Sequence, residues 1–206
     1  MQKFFLCLFF STLFIVNTKA DSPITSTYIY PAYLDYEIVN YAIETGSVDE
    51  KIASYLSDEN NLMDVKVAVI NAIGWNYEGN KNSHVFLDHL AKQNNTTAEK
   101  LNKNDLSGSN LLCFGYLLAM DDYFNIAESF EIVTMAKEKL NTSYTAHLVH
   151  AIVGAQKEFD YNWCGIWQIT RNVLTNNSLK RDMRTTAIQS VVDYMILYKS
   201  YCLVAE

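Results

Sequence analysis

Apolar side chains recur at three- and four-residue steps along residues 64–74, with Val65, Ala68, Val69, Ala72 and Ile73 in phase. This spacing is that of one face of an α-helix. Residues 64–73 and residues 182–191 share one order of residue types. Each segment has an acid, an apolar residue, a base, two spacers, an apolar pair, a polar residue, a small residue and an apolar residue. The pattern therefore predicts two equivalent amphipathic helices, with Met183 lying 118 positions after Val65.

Two weaker copies of the pattern lie between these segments. Residues 145–152 align 79 positions beyond residues 66–73, and a further copy begins at Asp105, 41 positions after Asp64. A period near 40 residues built from paired helices is typical of an α-solenoid. We predict helices over 31–45, 47–56, 63–77, 82–93, 96–103, 106–120, 124–140, 143–157, 161–174 and 179–201.

The inner-helix pattern resembles that of the HEAT-repeat family, whose inner helix often reads apolar-Arg-x-x-Ala-Ala-x-Ala-Leu. The resemblance covers most of residues 48–201. It implies an all-α, right-handed α-solenoid of about four antiparallel helix pairs, a habit of binding proteins, and no particular chemistry. An irregular helical bundle is the alternative architecture. No Pro-, Gly- or Ser-rich linker divides the chain, so residues 21–206 are predicted to form a single helical-repeat domain.

Two local motifs predict where helices begin. Ser47 followed by Glu50, and Thr96 followed by Glu99, have the spacing of a capping box, in which the first side chain accepts a backbone N–H of the new helix. We therefore expect one helix to start just after Ser47 and a short one just after Thr96.

The first 20 residues have the features of a secretory signal peptide. Lys3 precedes a nearly continuous apolar run over residues 4–16, and Thr18 and Ala20 are small residues suited to a cleavage site. The run is too short to span a bilayer as a transmembrane helix, although a retained anchor is the alternative. We expect a periplasmic or extracellular protein, with no membrane insertion after the signal is cleaved.

The chain carries a net negative charge at pH 7. The formal net charge is −7, and removing Lys3 and Lys19 with the signal leaves 14 basic and 23 acidic residues, a charge of −9. Nucleic acids and anionic membrane surfaces are bound by basic patches. The composition therefore argues against both classes of partner, and a protein or peptide ligand is what the resemblance to HEAT repeats implies.

The repeat alignment also predicts a binding surface. Asn71, His150 and Gln189 occupy equivalent positions, each just before a small residue of an inner helix, and His147 lies one turn before His150. In HEAT-like proteins such helices line the concave side, so the resemblance implies that these residues form a polar ridge along a groove. The alternative is that they are solvated positions without a partner.

Catalytic motifs are absent from the sequence. The histidines do not match an HExxH zinc site, and no Gly-x-Ser-x-Gly elbow, phosphate-binding glycine loop or Cys-x-x-Cys occurs. We expect no cofactor and no bound metal. The alternative function is a secreted or periplasmic helical enzyme that uses His147 and His150, or an acid, in a pocket.

Cysteines give a weak prediction. Cys113, Cys164 and Cys202 remain after the signal, an odd number, which requires an unpaired thiol or an intermolecular bridge. If helices 161–174 and 179–201 form a hairpin turning near Asn177, Cys202 overshoots Cys164 by about ten residues, roughly 15 Å at helical rise. The spacing therefore disfavours a Cys164–Cys202 disulfide. The neighbouring Trp163 and Trp167, read as packing anchors, favour a buried thiol at Cys164.

Overall fold

The computed structural model describes residues 21–75 and 81–203. Helices make up 67% of this part of the chain, which contains no strand, so the all-α prediction is confirmed. The proposed signal peptide lies outside the described residues. The α-helices are α1 (Glu37–Thr45), α2 (Glu50–Ser57), α3 (Met63–Ile73), α4 (Asn82–Gln93), α5 (Gly108–Asp121), α6 (Ala127–Lys139), α7 (Tyr144–Glu158), α8 (Trp163–Leu174) and α9 (Thr185–Met195). Within residues 21–75 and 81–203, three 3-10 helices span Tyr30–Tyr33, Lys103–Asp105 and Ile196–Leu203.

Several predicted helix starts are wrong, because local hydrogen bonds set them differently. The N-cap of α2 is Asp49, whose carboxylate accepts the Ile52 N–H at 2.8 Å, so the helix starts at Glu50 and Ser47 is not its cap. The predicted helix over 31–45 is divided, since Tyr36 is extended between the first 3-10 helix and α1. The segment after Thr96 forms a turn followed by the short 3-10 helix Lys103–Asp105.

Helices α3 and α5 lie side by side and run in the same direction. Near the start of α3 and α5, Lys66 Nζ donates to Ser109 Oγ at 2.8 Å, and further along the same two helices Asn71 Nδ2 donates to Tyr116 OH at 3.1 Å. The order of these two contacts shows that α3 and α5 are parallel. Parallel alternate helices are what repeated antiparallel pairs produce.

The chain also closes on itself. Arg184, just before α9, donates from its guanidinium to the Asp35 carboxylate at 2.6 and 2.8 Å, and its backbone N–H donates to Tyr33 OH at 3.0 Å. Helices α3, α5 and α7 all contact one another. In an open solenoid each repeat contacts only its neighbours. The solenoid arrangement therefore stays a prediction, and so does the alternative of an irregular bundle.

The core centres on α5 and α7, most of whose residues are buried. Gly115 allows α6 to approach α5 closely, because a Cβ there would lie 2.7 Å from Val133 Cγ1. A larger residue would push the two helices apart. This tight hairpin places the α5–α6 connection, residues 122–126, at the surface beside α4 and α7.

A disulfide joins Cys164 to Cys202, with a Cα–Cα distance of 4.7 Å, so the sequence prediction against it is wrong. The error came from assuming a helix that begins at 179. Residues 175–184 form a connection without α-helix, α9 begins at Thr185, and the 3-10 helix Ile196–Leu203 is the segment that packs along α8. The connection uses up the ten residues of the expected overshoot, which brings Cys202 beside Cys164.

Candidate functional site

Asn71 lies inside the fold and not on a surface ridge. It is 6% exposed, and its Oδ1 accepts the backbone N–H groups of Ile29 and Tyr30 at 2.7 and 3.1 Å. Its Nδ2 donates to Thr27 O at 2.9 Å and to Tyr116 OH at 3.1 Å. The side chain therefore joins the N-terminal segment to α3 and α5, and its hydrogen-bonding groups are occupied within the protein.

His150 is half-buried against α6. Its ring lies against that of Phe130, with centroids 5.0 Å apart, and its Nε2 lies 3.2 Å from Thr134 Oγ1 and 3.3 Å from Lys137 Nζ. Burial, and next the positive charge of Lys137, lower the pKa of His150 to about 4. The imidazole is thus neutral near pH 7, where Nε2 can accept a hydrogen bond from Lys137 Nζ, while the Thr134 hydroxyl donates to Phe130 O at 2.7 Å.

His147 and Gln189 are held by other neighbours again. His147 Nε2 lies 3.1 Å from Asn141 O, and burial lowers the pKa of His147. Gln189 is exposed and donates to Asp193 Oδ1 at 2.7 Å on the same helix. The four residues of the predicted ridge differ in burial: Asn71 is enclosed, His147 and His150 are partly buried neighbours on α7, and Gln189 is exposed on α9. A binding role for the three residues other than Asn71 stays a prediction.

One constellation has the atoms of a catalytic triad. Ser57 Oγ lies 3.1 Å from His89 Nε2, and His89 Nδ1 lies 3.3 Å from Glu50 Oε1. The group is closed, however: Ser57 is 8% exposed, and its hydroxyl also contacts Gln93 Nε2 at 3.0 Å. A nucleophile needs room for a substrate beside it. These contacts tie α2 to α4.

Metal ligands do not gather anywhere in residues 21–75 and 81–203: these residues hold no group of three or more His, Cys, Asp or Glu side chains arranged for an ion. Over the same residues, none of the helices has both the length and the apolar character needed to cross a bilayer.

The α5–α6 connection presents an aromatic side chain to solvent. Asp122 Oδ1 accepts the backbone N–H groups of Phe124 and Asn125 at 3.2 and 3.1 Å, which turns the chain sharply after α5. Tyr123 is buried and packs edge-on against Trp75, with ring centroids 5.6 Å apart. Phe124 then packs against Tyr123 with ring centroids 4.3 Å apart, and its side chain is 79% exposed. The turn thus anchors one aromatic ring and exposes the next.

A cleft of about 450 Å³ lies on one side of Phe124. Tyr161, 89% exposed, lies across it in the α7–α8 connection, and Phe159 forms part of the wall. Its polar lining includes Asp21, Gln156, Lys157 and Asp160. We call this space the first cleft. Aromatic rings on two separate connections therefore border it.

A second cleft, of about 530 Å³, lies on the other side of Phe124, between α4 and α6. Its lining includes Lys81, His84 and Glu128, and Asp121 and Asp122 add two more carboxylates. Phe124 and Asn125 line both clefts, so the two spaces adjoin along the α5–α6 connection.

The carboxylates of the second cleft have different surroundings. Asp121 accepts the Asn82 and Ser83 N–H groups at 3.2 and 2.7 Å and so caps α4. Burial raises the pKa of Asp121, opposed by these hydrogen bonds. Glu128 is exposed and forms an ion pair with Lys103 at 2.7 Å. Asp121 is thus a structural cap, whereas Asp122 and Glu128 present charge to solvent.

An aromatic cluster supports the first cleft from behind. Tyr198, on the 3-10 helix Ile196–Leu203, packs edge-on against Phe159 with ring centroids 6.1 Å apart. Trp163 packs against Tyr201 at 4.6 Å. Since the Cys164–Cys202 disulfide holds the same 3-10 helix on α8, it also holds this wall of the cleft.

The sequence interpretation did not identify the surface beside Phe124. It placed Phe124 in the apolar stripe of a helix over 124–140, whereas α6 begins at Ala127. A useful signal was present in Asp121-Asp122-Tyr123-Phe124-Asn125, since Asp and Asn favour turns. Read as a turn, this segment would have left an aromatic residue outside any helical stripe.

Comparison with known proteins gives no relative: no family model, no curated protein and no solved structure matches the chain.

Proposed function

We propose that this chain is an exported, non-enzymatic protein that binds a protein or peptide segment at the two clefts beside Phe124. One observation carries the proposal. Among the described residues, the two most exposed large apolar side chains, Phe124 and Tyr161, line the same cleft. Aromatic side chains are enriched at protein interfaces and often dominate their binding energy.

The position of these rings supports binding more strongly than their exposure alone. Single exposed apolar residues are normal on protein surfaces, whereas apolar groups gathered in a concave site with polar groups at its rim are typical of binding sites. In the first cleft Phe124 and Tyr161 have Asp160 and Gln156 around them. A partner that covers the rings gains apolar burial, and the rim can hydrogen-bond its backbone.

Export is the second part of the proposal. The signal-peptide features of residues 1–20 support it, and so does the Cys164–Cys202 disulfide, because structural disulfides persist mainly in oxidising compartments such as the periplasm and the extracellular space. We infer a protein that acts outside the cytoplasm.

For the architecture, we propose a HEAT-like array of helix pairs closed by contacts between its ends. Support comes from the parallel packing of α3 with α5 and from Asn82 Oδ1, which accepts the Val48 N–H at 2.8 Å and joins the starts of α2 and α4. The clefts lie at the connections between successive helices, and connections held by a rigid scaffold are common places for function.

A peptide-display selection tests the proposed function. Random peptides are selected on the disulfide-bonded wild-type protein, and their dissociation constants are measured by fluorescence anisotropy. We expect Phe124→Ala to weaken binding about tenfold, because truncating an interface aromatic commonly costs this much, and Tyr161→Ala to act in the same direction.

Leu62→Ala is the matched control, since Leu62 is 59% exposed and lines neither cleft. It should leave the dissociation constants unchanged. If no peptide is enriched, or if the enriched peptides bind the Phe124→Ala protein as tightly as the wild type, the proposed function is wrong.

A further inference from the structure

The charge of the two clefts identifies the class of partner. Resting on the proposed function, we propose that the partner segment carries an apolar side chain, which enters the first cleft beside Phe124, and a neighbouring Lys or Arg, which enters the second cleft beside Asp122 and Glu128. The clefts should therefore bind a peptide with a basic and an apolar side chain more tightly than an acidic or neutral peptide.

Carboxylates outnumber ammonium groups in the two clefts taken together, even after the proposed signal cleavage adds the α-amino group of Asp21. The lining contains five carboxylates and two lysines, namely Asp21, Asp121, Asp122, Glu128, Asp160, Lys81 and Lys157. Lys157 Nζ lies 4.7 Å from the centre of the Phe130 ring, a contact that orients the side chain and leaves its charge in place. The lining as a whole therefore carries a net negative charge, which repels an acidic segment and attracts a basic one.

Two of the acids are placed to receive the basic side chain. Asp122 and Glu128 are exposed and line the second cleft on either side of the turn that carries Phe124. Asp121 is less suitable, because both of its oxygens cap α4. Glu128 pairs with Lys103, but this pair is at the surface, where exchange with a guanidinium of a partner costs little.

The apolar half of the partner follows from the first cleft. Its volume of about 450 Å³ is at the scale of pockets that accept a side chain or small ligand. Phe124 and Tyr161 border it from two connections, and Ile126 adds apolar surface at the base. Because Phe124 also lines the second cleft, one short segment can place adjacent side chains in both spaces.

Three labelled peptides of equal length test the inference. One carries Trp beside Arg, one carries Trp beside Glu, and one carries Gly beside Arg, in an otherwise identical Gly/Ser sequence. Anisotropy titrations at low and moderate salt use wild-type protein, Phe124→Ala, and the double variant Asp122→Asn/Glu128→Gln. After the Asp122→Asn substitution, the side-chain amide oxygen can still accept the two backbone N–H groups of the turn.

We expect the Trp/Arg peptide to bind most tightly. Phe124→Ala should weaken it about tenfold, and the double variant about fivefold, with a weaker dependence on salt. Glu131→Gln is the matched control: it removes an exposed carboxylate of α6 that lies outside both clefts and should have no effect. It separates local recognition from the general attraction of an acidic protein.

The outcomes separate this inference from the proposed function. If the Trp/Glu peptide binds as tightly as the Trp/Arg peptide and both need Phe124, a peptide site exists but its preference for a basic partner is wrong. The inference also fails if Glu131→Gln weakens binding as much as the double variant. If affinity for selected peptides is independent of Phe124, the proposed function itself fails.

Discussion

Two regions of the molecule depart from the usual distribution of polar and apolar groups. The interface between α3 and α5 buries polar side chains, and the surface beside Phe124 exposes apolar ones. In the interface, Lys66 is fully buried with its ammonium group on Ser109, and Asn71 is buried with four hydrogen bonds. At the surface, Phe124 and Tyr161 keep most of their area in water.

The two regions differ in whether the protein itself supplies the contacts that its side chains need. A buried polar group is tolerated when its hydrogen bonds are made inside the fold, and losing one partner is costly. An exposed aromatic ring obtains no such compensation within the chain, and large apolar surfaces left in water often mark interaction sites. Polar side chains inside therefore hold this structure together, whereas apolar side chains outside are the basis of its proposed function.

The largest expected effect comes from the covalent bond behind the first cleft. The double variant Cys164→Ser/Cys202→Ser should lower the free energy of unfolding by about 4 kcal/mol, because the disulfide closes a sequence separation of 38 residues in the unfolded chain. Urea denaturation measures the change. Reductant should reproduce the loss in the wild type and have no effect on the double variant; a reductant effect in both would contradict the assignment.

Replacing Asn71 tests the buried side of the comparison. Asn71→Leu should lower the free energy of unfolding by about 3 kcal/mol, since it leaves the Ile29 and Tyr30 N–H groups and two further groups without their partner. Gln189→Leu, at the position aligned with Asn71 by sequence but exposed, should change it by less than about 0.5 kcal/mol. Equal costs in urea denaturation would show that burial does not distinguish the two positions.

A pH series tests the partly buried histidine. Since the pKa of His150 is about 4 in the folded protein and about 6.5 in an unfolded chain, the unfolded chain takes up this proton first as the pH falls. The contribution of the neutral His150 side chain to the free energy of unfolding is therefore fully present above pH 6.5 and is lost as the pH falls towards 4. We expect a loss of up to about 2 kcal/mol, reduced by solvent at the exposed edge of the ring.

Chemical denaturation at pH 7 and pH 4.5 measures this difference. His150→Gln should remove the part of the pH dependence that comes from His150, whereas His84→Gln, at an exposed histidine, should keep it. If the His150→Gln variant keeps the full pH dependence of the wild type, His150 is not the source of that dependence.

The smallest expected effect sharpens the exposed side. Phe124→Ala should change the free energy of unfolding by less than about 0.5 kcal/mol, because the ring is 79% exposed and little apolar burial is lost. Tyr123→Ala, at the buried neighbouring ring, is the matched control and should cost about 3 kcal/mol. A large loss at Phe124 in urea denaturation would mean that the ring belongs to the core.

Helix positions were largely predictable from the sequence, whereas helix starts and the candidate site were not. The three- and four-residue spacing over 63–77 and 143–157 matched α3 and α7, because an apolar stripe is a local property. The start of α2 was missed, since Ser47 and Asp49 are both good caps and their competition is decided by geometry. The position of Phe124 was missed because a turn was interpreted as helix.

The alignment of Asn71, His150 and Gln189 shows the limit of the repeat pattern. The three positions are equivalent in sequence, yet one is buried, one is half-buried and one is exposed. Their burial depends on what packs over each helix, and the segment that covers Asn71 comes from residues 27–30, outside the repeats.

By itself the sequence determined the all-α class, most helix positions and the acidic charge, because these follow from composition and from periodicity within a single segment. Only the tertiary structure decided that Cys164 meets Cys202, that Asn71 is enclosed, and that Phe124 and Tyr161 face the same cleft. Each of these depends on the paths of connections between helices, which bring together residues far apart in the chain and leave no periodic pattern in the sequence.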